Sequence, residues 1–187
     1  MGVTVIRGII REEIEINALE EIWRPDGLLG VTPHPDGGAN WFATVPQTRF
    51  DSPAQALEAL HQRWKDHSEL PQTVLRFASP EHTLVNDLWE SRWPRRLNRR
   101  NAVLLGDAAH AMSPNLGRGA NESLIDAVTL GSALSGTPLS LRRAIRQYQR
   151  RRSLPPHMIR IASRVMLRLA STSREGLRDA LFWRASR

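Results

Sequence analysis

One stretch constrains the fold of this chain more than any other, namely residues 101–126, which read NAVLLGDAAHAMSPNLGRGANESLID. The apolar run at residues 102–105 predicts a buried strand that ends at Gly106-Asp107. A glycine-containing loop follows, and a helix is predicted over residues 119–134. Ligands of open α/β sheets bind beyond the carboxyl ends of strands, and a helix N-terminus offers unpaired N–H groups. The stretch therefore favours a nucleotide-like ligand with an electron-rich end.

The residue types in this stretch allow two interpretations. Asp107 can accept hydrogen bonds from a sugar hydroxyl, and Gly117 and Gly119 let the backbone approach a flat ligand closely. The alternative is a tight turn in which Asp107 caps a nearby backbone N–H and nothing binds. Physical chemistry alone leaves both interpretations open.

The same stretch closely resembles the second flavin-binding motif of the FAD-dependent class A monooxygenases, the para-hydroxybenzoate hydroxylase-like group. That motif consists of an apolar strand, Gly-Asp-Ala-Ala-His, Pro-x-x-Gly-x-Gly-x-Asn and a helix with an Asp-Ala pair. The matching residues are Gly106-Asp107-Ala108-Ala109-His110, Pro114, Gly117, Gly119, Asn121 and Asp126-Ala127. Looser resemblance extends over residues 2–156, in the Arg-Gly strand at 4–8, the Trp-Phe-Ala strand at 41–43 and the Tyr-x-x-x-Arg helix at 148–152.

The resemblance implies a mixed α+β and α/β fold, the C-terminal portion of the para-hydroxybenzoate hydroxylase-like FAD fold. An antiparallel substrate-side sheet would be followed by a strand and C-terminal helices. Residues 1–98 are expected to form a substrate-side β-meander with a helix. Residues 99–187 are expected to form the C-terminal part of the FAD-binding domain with a helical tail.

The resemblance also implies FAD as the cofactor. Asp107 would bind the ribityl or adjacent sugar–phosphate hydroxyls, and Pro114 would lie beside the isoalloxazine ring. Amides around Ala120 would point at the pyrimidine end, where negative charge builds on reduction. NAD(P)H would be the transient electron donor, and the substrate would be a small molecule of aromatic type. The implied cofactor-binding residues are Gly106, Asp107, Pro114, Gly117, Gly119, Ala120 and Asn121.

One element of the family pattern is missing from this sequence. Members begin with a βαβ unit that carries Gly-x-Gly-x-x-Gly and holds the FAD pyrophosphate, and no such string occurs here. The chain is therefore expected to be the C-terminal part of such an enzyme, through a truncated gene, a split gene whose partner supplies the N-terminal half, or a repurposed fragment. Our hypothesis is that the isolated chain binds FAD weakly or not at all.

The hydrophobic pattern outside this stretch predicts the other elements. Asp51 or Ser52 is expected to cap a helix over residues 53–67, with Pro53 in its first turn, and Ser140 is expected to cap a helix over 141–153. Met158, Ile161, Val165 and Leu169 are expected to form the packed face of a helix over 157–170. Strands are predicted over residues 3–10, 22–23, 28–31, 40–45 and 74–77, and a final helix over 175–185.

Composition excludes several other classes of protein. The chain has no cysteine, which excludes a disulfide framework and a thiolate metal site. Asp107, His110 and Ser113 are the residue types of a hydrolytic triad, but they lie too close in sequence to converge, and no Gly-x-Ser-x-Gly occurs. The six histidines show no metal-ligand spacing, so no metal site is expected. No apolar stretch is long enough to span a membrane, and a cytoplasmic protein is expected.

The charge of the chain supplies the alternative function. The net charge is +7, with −2 in residues 1–100 and +9 in residues 101–187. The arginine cluster in residues 142–152 suggests a non-catalytic binding or interaction protein that acts through a basic surface. A solvated helix face is the simpler interpretation, and because few aromatic residues interleave, nucleic acid is not an expected partner.

Overall fold

The computed structural model describes residues 1–25, 27–100, 102–135, 140–172 and 176. The chain forms two compact units, one of residues 1–88 with the described residues after 169, and one of residues 89–169. The predicted boundary near residue 98 stays a prediction. The predicted helix over 175–185, apart from residue 176, lies outside the described residues. None of the helices in these ranges combines the length and hydropathy needed to span a bilayer.

The first unit is built on a five-stranded, fully antiparallel sheet. The strands are β1 (Val3–Ile10), β2 (Glu20–Arg24), β3 (Gly27–Pro33), β4 (Ala39–Pro46) and β5 (Thr83–Asp87). Their order across the sheet is β2-β3-β4-β1-β5, so the predicted meander is confirmed, with the first strand placed between β4 and β5.

The register of the sheet gathers its apolar residues on one face. Ile6 of β1 and Leu29 of β3 both pair with Ala43 of β4, and all three side chains are fully buried. Because side chains alternate along a strand, every second residue joins the same core. Leu60 and Trp64 from the following helix belong to that core as well.

Two helices contribute to this core, α1 (Pro53–Trp64) and α2 (Glu69–Phe77). The predicted start of α1 is confirmed, because the Ser52 side chain accepts a hydrogen bond of 3.2 Å from the Gln55 amide. The predicted strand over residues 74–77 is wrong, since these residues end α2. Pro71, Val74 and Leu75 follow a helical spacing, and their burial against the core outweighs the β propensity of Val74.

The second unit is mostly helical, with one short hairpin. Its two strands have only two residues each, so the predicted buried strand over 102–105 is shorter than expected, and Leu105 is exposed. The elements are β6 (Asn98–Arg99), β7 (Ala102–Val103), α3 (Asp107–His110), α4 (Gly119–Ser135), α5 (Leu141–Arg152) and α6 (Pro155–Ala170). The Ser140 side chain makes no capping hydrogen bond at the start of α5, contrary to expectation.

Helix α6 faces the opposite way from the predicted one. Met158, Ile161 and Val165 are exposed, whereas Arg160 and Leu167 are buried. The reason is polar, because Arg160 donates a hydrogen bond to the carbonyl oxygen of residue 91 and Arg164 donates one to the carboxylate of residue 90. These contacts hold the arginine face of the helix against the 89–93 segment.

The turn between β3 and β4 allows the cost of a left-handed backbone to be separated from the cost of a steric clash. Gly38 has φ +72°, and a Cβ atom there would overlap the carbonyl oxygen of Ile10, whereas Gly37 has φ +87° but open space around it. We expect Gly37→Ala to cost about 1 kcal/mol from the left-handed backbone alone. Gly38→Ala should cost at least about twice that, because the clash is with backbone. Urea unfolding of both variants checks this, and equal losses would contradict it.

Candidate functional site

The turn after β7 begins at a residue that has to be glycine. Gly106 has φ +56°, and a Cβ atom there would lie 3.0 Å from the Ser123 hydroxyl oxygen in the second turn of α4. The Gly106 carbonyl accepts hydrogen bonds of 2.9 Å from the amides of Ala109 and His110, which starts α3. Gly106 therefore brings the turn into close contact with the beginning of α4.

Asp107 projects from this turn toward solvent. Its side chain is exposed, and its carboxylate has no hydrogen-bond partner among the described residues. Its backbone carbonyl accepts the amide of Ala111 at 3.1 Å. The alternative in which the Asp107 carboxylate caps a nearby amide is thus not what the described residues show. An exposed, unpaired carboxylate at the end of a strand is chemically able to accept hydrogen bonds from a bound hydroxyl group.

The loop that follows leads to an open helix N-terminus. Gly117 has φ +61°, and a Cβ atom on Gly117 or Gly119 would meet no atom within 4 Å. The first backbone hydrogen bond of α4 runs from the amide of Glu122 to the carbonyl of Arg118 at 2.9 Å. The amides before it, those of residues 119–121, precede the helical hydrogen-bond pattern and are the donors that helix N-termini leave free. A flat or anionic ligand could reach them without a steric obstacle.

The predicted site residues fall into two groups by exposure. Gly106 is buried and Gly119 is partly exposed. The other predicted residues reach the surface of the second unit, and they are Asp107, Pro114, Gly117, Ala120 and Asn121. Gly106 therefore supports the site from beneath, while the others form its accessible part. Their role toward a ligand stays a prediction.

A buried ionic network lies behind this surface. Asp126 and Glu122 of α4 and Arg152 of α5 are each nearly or completely buried. The Arg152 Nε atom donates to Asp126 at 2.6 Å, and its terminal nitrogen donates to Glu122 at 2.6 Å. Arg118, from the glycine-containing loop, donates to the other Glu122 oxygen at 2.8 Å. Two acids and two arginines thus connect the loop, α4 and α5.

The turn at Gly106 is attached to the same network. The Gly106 amide donates to Asp126 at 2.8 Å, and the His110 Nε2 atom lies 2.6 Å from the same carboxylate oxygen. Ser113 instead donates to Asn115, so the three residue types of a hydrolytic triad do not converge. His110 is therefore part of the packing behind the turn.

The network lowers the pKa of its two acids, whereas the pKa of the neighbouring Tyr148 is raised. Burial alone raises the pKa of Glu122, but hydrogen bonds from Arg152 and Arg118 outweigh it and hold that pKa below its ordinary value. Burial also opposes ionisation of Asp126, yet Arg152, the Gly106 amide and His110 keep the pKa of that carboxyl low. Burial, together with the charge of Asp126, raises the pKa of Tyr148, whose hydroxyl donates to the Leu104 carbonyl at 3.0 Å.

Sequence reasoning missed the network as a unit. Glu122 and Asp126 are spaced by four residues on one predicted helix, a spacing that places them on one face, and Arg118 precedes Glu122 by four residues in the loop before that helix. Tyr148 and Arg152 show the same spacing on the next helix. Those two spacings were the signal in the sequence from which the network could have been predicted. Only the packing of α4 against α5 reveals that the faces meet.

A family model described as an FAD binding domain matches residues 29–154. This range includes every predicted site residue and covers more than half of the chain. The chain belongs to this FAD binding domain family.

Several curated proteins share sequence with the chain. The aurachin C monooxygenase/isomerase of Stigmatella aurantiaca is 34% identical in an alignment of 153 residues that covers 79% of this chain and 39% of that protein. The 3-amino-4-hydroxybenzoate 2-monooxygenase of Streptomyces cremeus is 33% identical in an alignment of 124 residues that covers 64% of this chain and 30% of that protein. The chain thus spans well under half the length of these relatives.

Solved structures share the fold at lower sequence identity. HpxO of Klebsiella pneumoniae, complexed with FAD and uric acid, has a TM-score of 0.87 and 19% identity, over 98% of this chain and 48% of that one. A salicylate hydroxylase in a substrate complex has a TM-score of 0.74 and 22% identity, over 93% and 49%. The expected fold, a portion of the FAD-dependent hydroxylase fold, is confirmed.

Removal of Arg152 tests how much the ionic network contributes to the stability of the chain. We expect Arg152→Met to destabilise the chain by about 3–5 kcal/mol, because two buried carboxylates lose their counter-charge. Arg151→Met is the matched control, since Arg151 is the exposed neighbour on the same helix and its loss should stay within about 0.5 kcal/mol. Urea unfolding followed by circular dichroism compares the free energies of unfolding of the two variants. A loss for Arg152→Met as small as that of the control would show that the network does not stabilise the chain.

The lowered pKa values of the two buried carboxyl groups predict how the stability of the chain depends on pH. Glu122 and Asp126 have folded-state pKa values below their ordinary values of 4.5 and 3.8, so the unfolded chain binds more protons. Their stabilising contribution is complete above the unfolded values and is lost as pH falls through the lower folded values. We therefore expect the protection factors of the α4 amides, which are exchange rates corrected for the intrinsic effect of pH, to fall below about pH 4, near the ordinary carboxyl values. Glu122→Gln should weaken this pH dependence, and an unchanged profile would contradict the assignment.

Proposed function

We propose that this chain supplies the flavin-side half of an FAD-dependent monooxygenase of the hydroxylase type. The observation that carries the proposal is the turn–loop–helix arrangement, which lies within the range matched by the family model. There, an unpaired carboxylate follows a strand end, and accessible amides follow a glycine-containing loop.

The residues present fit the flavin end of FAD. The exposed Asp107 carboxylate would accept hydrogen bonds from ribityl hydroxyls, and Pro114 would border the ring. The open space beside Gly117 and Gly119 fits a planar ligand close to the backbone, since a side chain there would project into it. Gly106 would hold Asp107 in place from the buried side.

The N-terminus of α4 has an electrostatic role in this proposal. When bound, FAD supplies hydride acceptance and the activation of oxygen. The amides of Gly119, Ala120 and Asn121 would face the electron-rich pyrimidine end, where reduction adds negative charge. Fixed backbone dipoles stabilise such charge without reorganisation.

Helix α4 indicates that this half needs a complement. It buries Glu122 and Asp126, while Leu124 and Val128 are 66% and 70% exposed. A helix that is apolar on its outer side as well is usually covered by another layer. We infer that the complementary part of the FAD fold, with a Gly-x-Gly-x-x-Gly unit, covers this side and holds the pyrophosphate. It would be supplied by a separately encoded partner or by a longer form of the chain.

The remaining parts of the proposal follow from the family resemblance. NAD(P)H would donate electrons, and the substrate would be a small aromatic molecule. The HpxO structure contains uric acid, and a second structural neighbour, PqsL of Pseudomonas aeruginosa, contains 2-aminobenzoylacetate. A cytoplasmic location belongs to this proposal, since NAD(P)H is produced and kept inside the cell.

The half-site makes a specific prediction about flavin binding. The isolated chain, titrated by flavin fluorescence, should bind riboflavin, FMN and FAD with similar and weak affinity, and AMP should not compete. The reason is that this half would contact only the part that the three flavins share. Asp107→Asn should weaken all three, whereas Asp87→Asn, in the first unit, should leave them unchanged.

Complementation completes this test. The chain is mixed with the part of the Stigmatella aurantiaca protein outside its matched 153 residues, and FAD retention and NAD(P)H oxidation are measured. Both should appear only in the mixture, and Val128→Asp should prevent assembly. A complex that forms on gel filtration but retains no FAD would overturn the proposal.

A second candidate function has one observation in its favour. Helix α5 exposes five arginines, while Arg152, the sixth of the predicted cluster, is buried in the network. Such a face could bind a polyanion without catalysis. Binding to DNA or anionic vesicles that falls steeply with salt, together with no flavin binding in the mixture, would favour this candidate. The five exposed residues are Arg142, Arg143, Arg146, Arg150 and Arg151.

A further inference from the structure

We propose that Asp126 is the positioning residue of the Gly106-Asp107 turn, and that Arg152, which is itself held by Glu122, orients the Asp126 carboxylate for that role. The inference rests on the proposed flavin site, because the turn presents Asp107 to the ligand. It goes further by assigning a binding role to buried residues that would not touch a ligand.

The first argument is that one carboxylate oxygen holds both ends of α3. The same Asp126 oxygen accepts the Gly106 amide at 2.8 Å and lies 2.6 Å from the His110 Nε2 atom. The residues between them include Asp107, whose side chain has no partner of its own within the described ranges. The direction in which Asp107 points is therefore set through its two anchored neighbours.

The second argument concerns the backbone at Gly106. Its φ of +56° is a conformation that few residues adopt, and among the described residues its amide donates to Asp126 alone. A glycine is free to leave such a conformation when its amide loses an acceptor. The Asp126 carboxylate is thus the group that selects this conformation among those open to glycine.

The third argument is the way in which Asp126 itself is held. Arg152 donates to the other Asp126 oxygen at 2.6 Å and also to the carboxylate and the carbonyl of Glu122. Glu122 in turn accepts from Arg118 in the glycine-containing loop. The network therefore connects the Asp107 turn with the loop and with the first turns of α4, the two parts of the proposed flavin site.

His110 supports the same assignment. Its ring is buried, and its Nδ1 atom has no hydrogen-bond partner among the described residues. Asp126 is therefore the polar group that orients the ring from its other side. Without that contact, neither ring nitrogen would have a protein partner in the described part of the chain.

A residue that only stabilises the fold and a positioning residue predict different results. Substitution of the first kind lowers stability throughout the second unit, whereas substitution of a positioning residue changes the turn in molecules that remain folded. The experiment uses the full chain without flavin, labelled with ¹⁵N, and compares wild type with Asp126→Asn and Arg152→Lys. The observables are the proton shift and the exchange rate of the Gly106 amide.

We expect Asp126→Asn to move the Gly106 amide proton upfield and to accelerate its exchange about tenfold or more, as when supporting contacts behind a site are removed. Arg152→Lys should cause a smaller change of the same kind. Arg151→Gln is the control for charge on α5, and Ala133→Gly is the control for general destabilisation, because Ala133 is buried two turns further along α4. Both controls should leave the Gly106 shift in place.

Two outcomes would overturn the assignment. One is an unchanged Gly106 amide in a folded Asp126→Asn chain, and the other is the same change in Ala133→Gly at equal stability. Riboflavin affinity is then measured on the same samples, where Asp126→Asn should weaken binding about tenfold. A shifted Gly106 amide in a chain that binds no flavin, alone or in the complementation mixture, would support positioning of the turn while contradicting the proposed function.

Discussion

The second unit depends on the pairing of one buried carboxylate. Asp126 is fully buried, and an ion in that position is tolerated only if charge and hydrogen bonds replace water. Arg152 supplies the charge, and Gly106 and His110 surround the remaining oxygen. The small apolar core of the second unit includes Leu97, Ala109 and Tyr148. Geometry here is set by directional polar bonds, which define distances more sharply than apolar packing does.

This pairing explains why α4 is oriented with its acids inward. Once Glu122 and Asp126 face Arg152, helical geometry turns Leu124 and Val128 outward. In a self-sufficient protein that orientation would be costly, because apolar area stays in water. It becomes favourable when a further layer covers the outer side. In the proposed assembly, the ionic network and the exposure of Leu124 and Val128 are therefore two consequences of one helix that would lie between two layers.

Much of the fold was predictable from the sequence because its signals were local. Alternation and turn residues predicted the meander, Ser52 and Pro53 predicted the start of α1, and a long motif predicted the turn–loop–helix of the candidate site. The strand predicted at 74–77 was wrong, since burial of Val74 on a helix overrode its propensity. The predicted buried face of α6 was wrong, because Arg160 donates a hydrogen bond to a carbonyl group far away in sequence. Hydrophobic periodicity carries no information about such a contact. The partner of Asp126 lies 26 residues away, so its recognition required the packing of two helices.

The two units also differ in what they require from elsewhere. The first unit has a large apolar core that includes Ile6, Leu29, Trp41, Leu60 and Trp64, and its sheet pairs every strand with a neighbour. Such a core is stabilised by area alone and tolerates changes of pH and salt. The second unit combines few buried apolar residues with buried charges, so its stability depends on the protonation of its buried acids. In the proposed assembly, the complementary half would therefore cover the second unit, whereas the first unit has a large apolar core of its own.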